Sequence, residues 1–247
     1  MLTLFDVNCT LGSWMTGGPA LANAAEVLAE MDRLGVAKAL VRHTCGGYYH
    51  APEGNAFLME QLTGQGRLVP CWAGLPPVTG ELGALQDWLS DLSAHDVRAV
   101  CLYPASNGYP LTVWQCDALL GPLAERSYLL LLELAETNWE ALHTICGAYP
   151  RLKVVLLSTG YRVLRPLYAL LEAHPNLYVD TSILSNFMVL EEMAARFGAD
   201  RLLFGTGAPR YEGAGSITAL RYAALSEIER QAIAGGNLER LLGEVQR

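Results

Sequence analysis

Arg201-Leu202-Leu203-Phe204-Gly205-Thr206-Gly207-Ala208-Pro209 is a short apolar run that halts at small residues and a proline. A buried parallel strand ends in this way at the rim of an α/β fold, because both of its faces are covered and its end opens into a loop. Working back from Arg201–Phe204, the same strand-then-helix unit recurs along the chain. Strands are expected at Thr3–Val7, Val36–Val41, Leu68–Ala73, Val97–Leu102, Tyr128–Leu134, Leu152–Leu157 and Leu177–Asp180. Helices alternate with them at Ala24–Gly35, Pro52–Leu62, Glu81–Leu92, Val113–Glu125, Trp139–Ala148, Val163–Glu172 and Phe187–Phe197, and a last helical stretch covers Ser226–Val245. Within Ala24–Gly35, for example, Ala24, Val27, Leu28, Met31 and Leu34 share one face and Gly35 supplies a C-terminal stop.

Eight strands alternating with helices, with no linker or low-complexity segment between them, specify a single (β/α)8 TIM barrel spanning residues 1–247. An open doubly wound sheet is the alternative if a strand is misjudged. The length, 247 residues, is usual for one such barrel, and 51% hydrophobic residues supply its core. The longest apolar run, Tyr128–Leu134, is strand-sized and far short of the ~18 residues of a membrane span. The first strand begins too early to leave room for a basic-then-apolar leader. A net charge of -8 without a Lys/Arg cluster argues against nucleic acid and anionic membrane as partners. Cys9, Cys45, Cys71, Cys101, Cys116 and Cys146 are widely spaced, with no Cys-x-x-Cys, and read as small buried hydrophobes in a cytoplasmic protein.

In such a barrel, chemistry gathers where strands end. The strand ends here resemble the amidohydrolase-2 family, metal-dependent TIM-barrel hydrolases and decarboxylases related to aminocarboxymuconate-semialdehyde decarboxylase. Asp6-Val7-Asn8-Cys9-Thr10-Leu11-Gly12 is similar to the family's Asp-x-His-x-His-x-Gly opening. His174-Pro175-Asn176-Leu177-Tyr178-Val179-Asp180-Thr181-Ser182 resembles its Pro-Asn-Val-Tyr-x-Asp-x-Ser, and Gly236-Asn237-Leu238-Glu239-Arg240-Leu241-Leu242-Gly243 its Gly-Asn-Ala-x-Arg-Leu-Phe-Gly. The resemblance implies five metal-ligand positions. They hold Asn8, Thr10, Glu133, Ser158 and Gly207, where the family has four histidines and an aspartate. An amide, two hydroxyls and a glycine are poor ligands, and one carboxylate does not hold a catalytic zinc, which needs about three protein ligands.

No metal and no cofactor are therefore expected. The expected protein is a diverged member that binds a small molecule or a partner at the barrel mouth, with metal-free acid–base chemistry on Glu133 and His43 as a further option. Two other readings stay open: a metal-dependent hydrolase or decarboxylase with relocated ligands, built from His43, His50 and Glu133, and a structural subunit or homo-oligomer. Ligand-contacting candidates are Asn8, Thr10, Ser158, Arg42, Tyr48, His50, Tyr161 and Arg210, with Arg162 beside Tyr161. A thiolate of Cys9 or Cys45 activated by His43 is a weaker candidate nucleophile. His95, His143 and His174 fall at helix ends away from the mouth and are expected to be structural. Glu133 follows the apolar run Tyr128–Leu132 and should sit low in the mouth, an unpaired acid unless Arg42, His43 or another cation reaches it.

Overall fold

Among the described residues, 2–14 and 17–246 of a computed structural model, eight strands form one parallel sheet in sequence order. They are β1 (Leu4–Leu11), β2 (Val36–His43), β3 (Leu68–Ala73), β4 (Ala99–Leu102), β5 (Leu129–Glu133), β6 (Lys153–Leu157), β7 (Leu177–Asp180) and β8 (Leu202–Leu203). Val7 N donates to Phe204 O and Thr10 N to Ala208 O, both at 2.9 Å, so the chain after β8 pairs with β1 and closes the barrel. This is the expected (β/α)8 architecture. The helices are α1 (Ala24–Leu34), α2 (Thr44–Tyr48), α3 (Ala51–Leu62), α4 (Leu85–Ala94), α5 (Val113–Glu125), α6 (Trp139–Ala148), α7 (Leu164–Ala173), α8 (Val189–Phe197), α9 (Ala214–Tyr222), α10 (Glu227–Gln231) and α11 (Asn237–Gly243).

The alternation of strand side chains sorts the core into two bodies. Phe5, Val7, Leu40, Cys71, Cys101, Leu129, Leu131, Val155, Leu157, Tyr178 and Leu203 fill the barrel interior. Leu4, Val41, Trp72, Val100, Leu130, Leu132, Val154, Leu156 and Val179 face outward and pack under the helices. Leu238, Leu241 and Leu242 of α11 join the interior body and plug the barrel at the N-terminal ends of the strands. Five of the six free cysteines are buried, and Cys45 is half-buried. Among the described residues no helix is long and apolar enough to cross a membrane.

Local chemistry explains the helix ends. Asn23 caps α1 by accepting from Glu26 N, and Gly35 stops it in the left-handed region at φ 71°. The expected spans for α5 and α6 are met to the residue. Other expectations are corrected. β1 and β2 run on to Leu11 and His43, so Asn8, Thr10 and Arg42 lie within strands and not beyond them. Two helices escape the sequence reading, α2 and α9. Helix α2 contains Gly46 and Gly47, which disguise it; a Cβ on Gly54 of α3 would lie 2.1 Å from Gly46 N, so the two helices meet backbone to backbone. The C-terminal helical stretch is three pieces, α10, a π-helical turn at Ala232–Gly236, and α11. The turn presses on β1, where a Cβ on Gly235 would lie 2.9 Å from Thr3 O.

Candidate functional site

A β-bulge builds one wall of the barrel mouth. Asp6 pairs with Ala39 but Cys9 pairs with Val41, so β1 carries one extra residue against β2. The extra residue reverses the alternation. Phe5 and Val7 point into the barrel, whereas Cys9 and Leu11 point out among the helices. Asn8 and Thr10 thereby join the inward set at the mouth. Plain alternation does the same for Arg42, Glu133 and Asp180, which follow the outward-facing Val41, Leu132 and Val179.

These side chains make one buried polar network. Arg42 Nη2 donates to Asn8 Oδ1 at 2.6 Å, Thr10 Oγ1 at 3.3 Å and Glu133 Oε1 at 3.0 Å. Asn8 Nδ2 donates in turn to Asp180 Oδ2 at 2.5 Å and Ser158 Oγ at 3.1 Å. Asp180 also accepts from Ser182 N and Oγ, at 3.1 and 2.9 Å to Oδ1, and from Ser158 N at 3.4 Å. Behind this layer Asp6 ties β1 to the segment after β8 by accepting from Asn8 N, Thr206 N and the Thr206 hydroxyl. Arg42 is 2% exposed and Asp180 wholly buried.

Burial at this depth reshapes the titrations. Desolvation pushes the Asp180 carboxyl up to about 6, against the hydrogen bonds from Ser182, Asn8 and Ser158 that favour its charged form. Asp6 is raised for the same reason, opposed by Thr206 and Asn8. Burial works against charge on Arg42, yet its neighbours, Tyr103 and Glu133 foremost, leave the guanidinium above its ordinary value. Of these the Glu133 carboxylate, in hydrogen-bond contact, is the partner that geometry supports.

A cap covers the network. Arg210 Nη1 donates to Glu133 Oε2 at 3.3 Å, and its guanidinium lies 4.2 Å from the Trp14 ring centroid. Trp14 meets Tyr48 edge-on at 5.6 Å, and Tyr48 lies 5.9 Å from Tyr103. Arg210 keeps 39% of its side chain in solvent, so the cap is a cation held on aromatic faces at the water boundary.

The candidates therefore divide. Asn8, Thr10, Arg42, Glu133, Ser158, Arg210 and Tyr48 come together. Two arginines reach Glu133, so of the two alternatives the sequence leaves open it is the paired acid that the structure holds, with Arg42 as the expected cation and Arg210 as a second. His43 does not reach it: its Nδ1 accepts from Cys45 N at 3.1 Å as the cap of α2, and burial lowers its pKa. The same bond leaves the Cys45 thiol without the imidazole, and Cys9 faces away from the mouth with its thiol pushed well up by burial. His50 is half-exposed beside Glu53 at 3.8 Å, so His43, His50 and Glu133 do not assemble. Tyr161 lies out on the loop after β6, with Arg162 over its ring at 5.2 Å and its carbonyl accepting from Asn186. His143 and His174 contact each other at 2.8 Å, and His95 lies against Trp72. Asp180, Tyr103 and Trp14 join the site without being among the residues the sequence suggests for it. For Asp180 a signal was present, in the motif around Tyr178 and Ser182; for Trp14 and Tyr103 none was.

The sequence profile of the amidohydrolase family matches residues 84–243, well over half of the chain. The chain belongs to the amidohydrolase-2 family. No curated protein sequence matches it. Among solved structures it is similar to an uncharacterised TIM-barrel protein of Bordetella bronchiseptica, at 17% identity over 98% of this chain and 99% of the other, with a TM-score of 0.78. It is also similar to a 2,6-dihydroxybenzoate decarboxylase from Rhizobium (14%, 98% and 99%, TM-score 0.76). A dihydroxybenzoic acid decarboxylase from Polaromonas sp. JS666, with bound manganese and 2-nitroresorcinol, is alike at 16% over 98% and 97%, with a TM-score of 0.79. At such identities the likeness speaks for the fold.

The family pattern places metal ligands at positions 8, 10, 133, 158 and 207. Here the oxygens of Asn8, Thr10 and Glu133 are turned toward a guanidinium, and Ser158 Oγ accepts from Asn8. A divalent ion 4 Å from that guanidinium would meet a repulsion on the order of 8 kcal/mol at an effective dielectric of about 20. Gly207 sits at φ +69°, and a Cβ there would lie 2.5 Å from Tyr211 Cδ2, which leaves no room for an aspartate. Among the described residues no three His, Cys, Asp or Glu side chains group to hold a metal. As placed here, these side chains do not fit a divalent cation.

Proposed function

We propose that this amidohydrolase-2 protein binds a small aromatic carboxylate at the barrel mouth without the family's metal ion. The observation that carries the reading is Arg210, a cation stacked on Trp14 at the water boundary and joined through Glu133 to the buried Arg42. Arg42 and Arg210 share the Glu133 carboxylate there, and Arg210, the one of the two at the water boundary, is within reach of an incoming anion. Trp14, Tyr48 and Tyr103 offer ring faces beside it. Several structures of the same fold are of proteins acting on such molecules, among them 2,6-dihydroxybenzoate and 5-carboxyvanillate decarboxylases.

The incoming carboxylate takes Arg210 from Glu133 and leaves Arg42 as that residue's partner. Any chemistry accompanying binding is metal-free acid–base chemistry centred on Glu133. Asp180 holds the Asn8 amide in place and does not itself reach the ligand. His43 takes no part, because its ring is committed to α2.

Calorimetric titration of chelator-treated protein with 2,6-dihydroxybenzoate, beside 2,6-dihydroxybenzamide, tests this. The carboxylate should bind and the neutral amide should not, and Arg210→Ala should weaken binding about tenfold to a hundredfold, as expected for a charge-assisted hydrogen bond. Binding that appears only after manganese is restored would make the protein a metal-dependent member. Absence of binding under both conditions would favour a structural subunit.

A further inference from the structure

Asn8, Thr10 and Glu133 stand at three of the five positions where the family's pattern places metal ligands, and all three direct an oxygen at one atom. That atom is Arg42 Nη2, with separations of 2.6, 3.3 and 3.0 Å. Convergence of acceptors from β1 and β5 on a point inside a barrel is the signature of a cation site. The group that satisfies it belongs to this chain.

We propose that the Arg42 guanidinium is the resident cation of the mouth and takes the electrostatic place of the family's metal ion. The inference rests on the metal-free reading above and says what replaces the ion. Arginine suits the role where lysine would not. It keeps its charge when buried, and its planar fork lets several oxygens share it. Its side chain is 3% exposed, a position tolerated only because Glu133 faces it and neutral oxygens complete its shell.

The replacement is not equivalent to a metal. A guanidinium carries one positive charge and donates hydrogen bonds; it has no vacant coordination position and does not acidify a bound water. It can neutralise a carboxylate and donate hydrogen bonds to the oxygens around it, and one of its donors is left over. Nε of Arg42 is buried and has no hydrogen-bond partner among the described residues. A donor in that state calls for an acceptor, such as an ordered water. The mouth thus keeps a fixed cation with a donor to spare, which suits neutralising a carboxylate more than making hydroxide.

The test combines metal uptake with chemical rescue, and neither arm contains a carboxylate ligand. The full-length wild-type protein, exposed to manganese or zinc and desalted, should retain no stoichiometric metal. Arg42→Ala should lower Tm by roughly 10 °C, as losing one partner of a buried pair implies for a chain of this size. Millimolar guanidinium should recover much of that loss, and the same concentration of ammonium should not. Should Arg42→Ala fail to fold, Arg42→Lys, which keeps a cation but not the fork, should fold with a lowered Tm and still take up no metal. One equivalent of metal retained by the wild type would overturn the proposal. So would Arg42→Ala or Arg42→Lys with unchanged Tm, or Arg42→Ala with no response to guanidinium. Failure of 2,6-dihydroxybenzoate to bind would leave these results intact and would count only against the proposed ligand.

Discussion

At the N-terminal end of the barrel, Lys153 of β6 reaches Glu244 at 2.5 Å and the Leu241 carbonyl at 3.4 Å, beneath the plug made by α11. At the C-terminal end, Arg42 of β2 is enclosed by Asn8, Thr10 and Glu133. Both ends bury a cation against a carboxylate, but their surroundings differ. Glu244 keeps 46% of its side chain in solvent, so water shares the lower pair. Glu133 keeps 9% and Arg42 3%, so bulk water hardly shares the upper one. The lower pair closes a structure. The upper pair holds charge where solvent cannot relax around it, as an active or binding site requires.

The largest effect expected from this contrast is at Glu133. Glu133→Gln leaves the buried Arg42 without its carboxylate and should cost about 3–5 kcal/mol by urea unfolding at pH 8. A neutral result would show that Arg42 swings to water and that the two ends are alike. An unpaired glutamate, as its apolar strand suggests, would have given no loss there. The difference lies in a contact from β2, 91 residues away in the chain, that no local pattern announces.

Next comes Asp180, where the two ends should differ in the sign of their pH dependence. Its folded pKa, about 6, lies above the ordinary 3.8. The folded state therefore holds the proton more tightly, and this contribution is full below pH 4 and lost as pH rises through 6, by up to about 3 kcal/mol. Glu244 is held below its ordinary value, chiefly by the hydrogen bond from Lys153, so its contribution is present at neutral pH and lost as pH falls through that depressed value. Asp180→Asn should cost about 1–3 kcal/mol at pH 4, because the amide turns two hydrogens toward groups that donate where the protonated carboxyl has one. It should also flatten the wild-type decline between pH 4 and 6. A wild-type protein whose stability is level across that window would refute the raised carboxyl.

The smallest effect is expected at Lys153. Lys153→Met keeps the buried stem and lets Glu244 turn into water, for a loss of about 1 kcal/mol or less in chemical denaturation. A loss as large as that of Glu133→Gln would erase the distinction between the two ends.

What the sequence alone determined is what short-range physics controls. The eight-fold recurrence of apolar run and amphipathic helix requires a closed parallel sheet, since its strands must be covered on both faces. The spans of α5 and α6, the cap at Gly35 and the placement of Glu133 at an inward strand end follow from periodicities of 3.6 and 2. Only the tertiary structure decided which of the mouth residues cooperate. The bulge that turns Asn8 and Thr10 inward arises from a register against β2, not from the residues of β1 themselves. His43 looked like a partner for Glu133 but is spent on capping α2, a helix hidden by its glycines. Arg42, one rim cation among several in the sequence, becomes the centre of the site because strand pairing brings Asn8, Thr10 and Glu133 to it from 32 to 91 residues away. Hydrogen bonding between side chains depends on where strands lie beside one another, and that information is carried by the closed sheet as a whole.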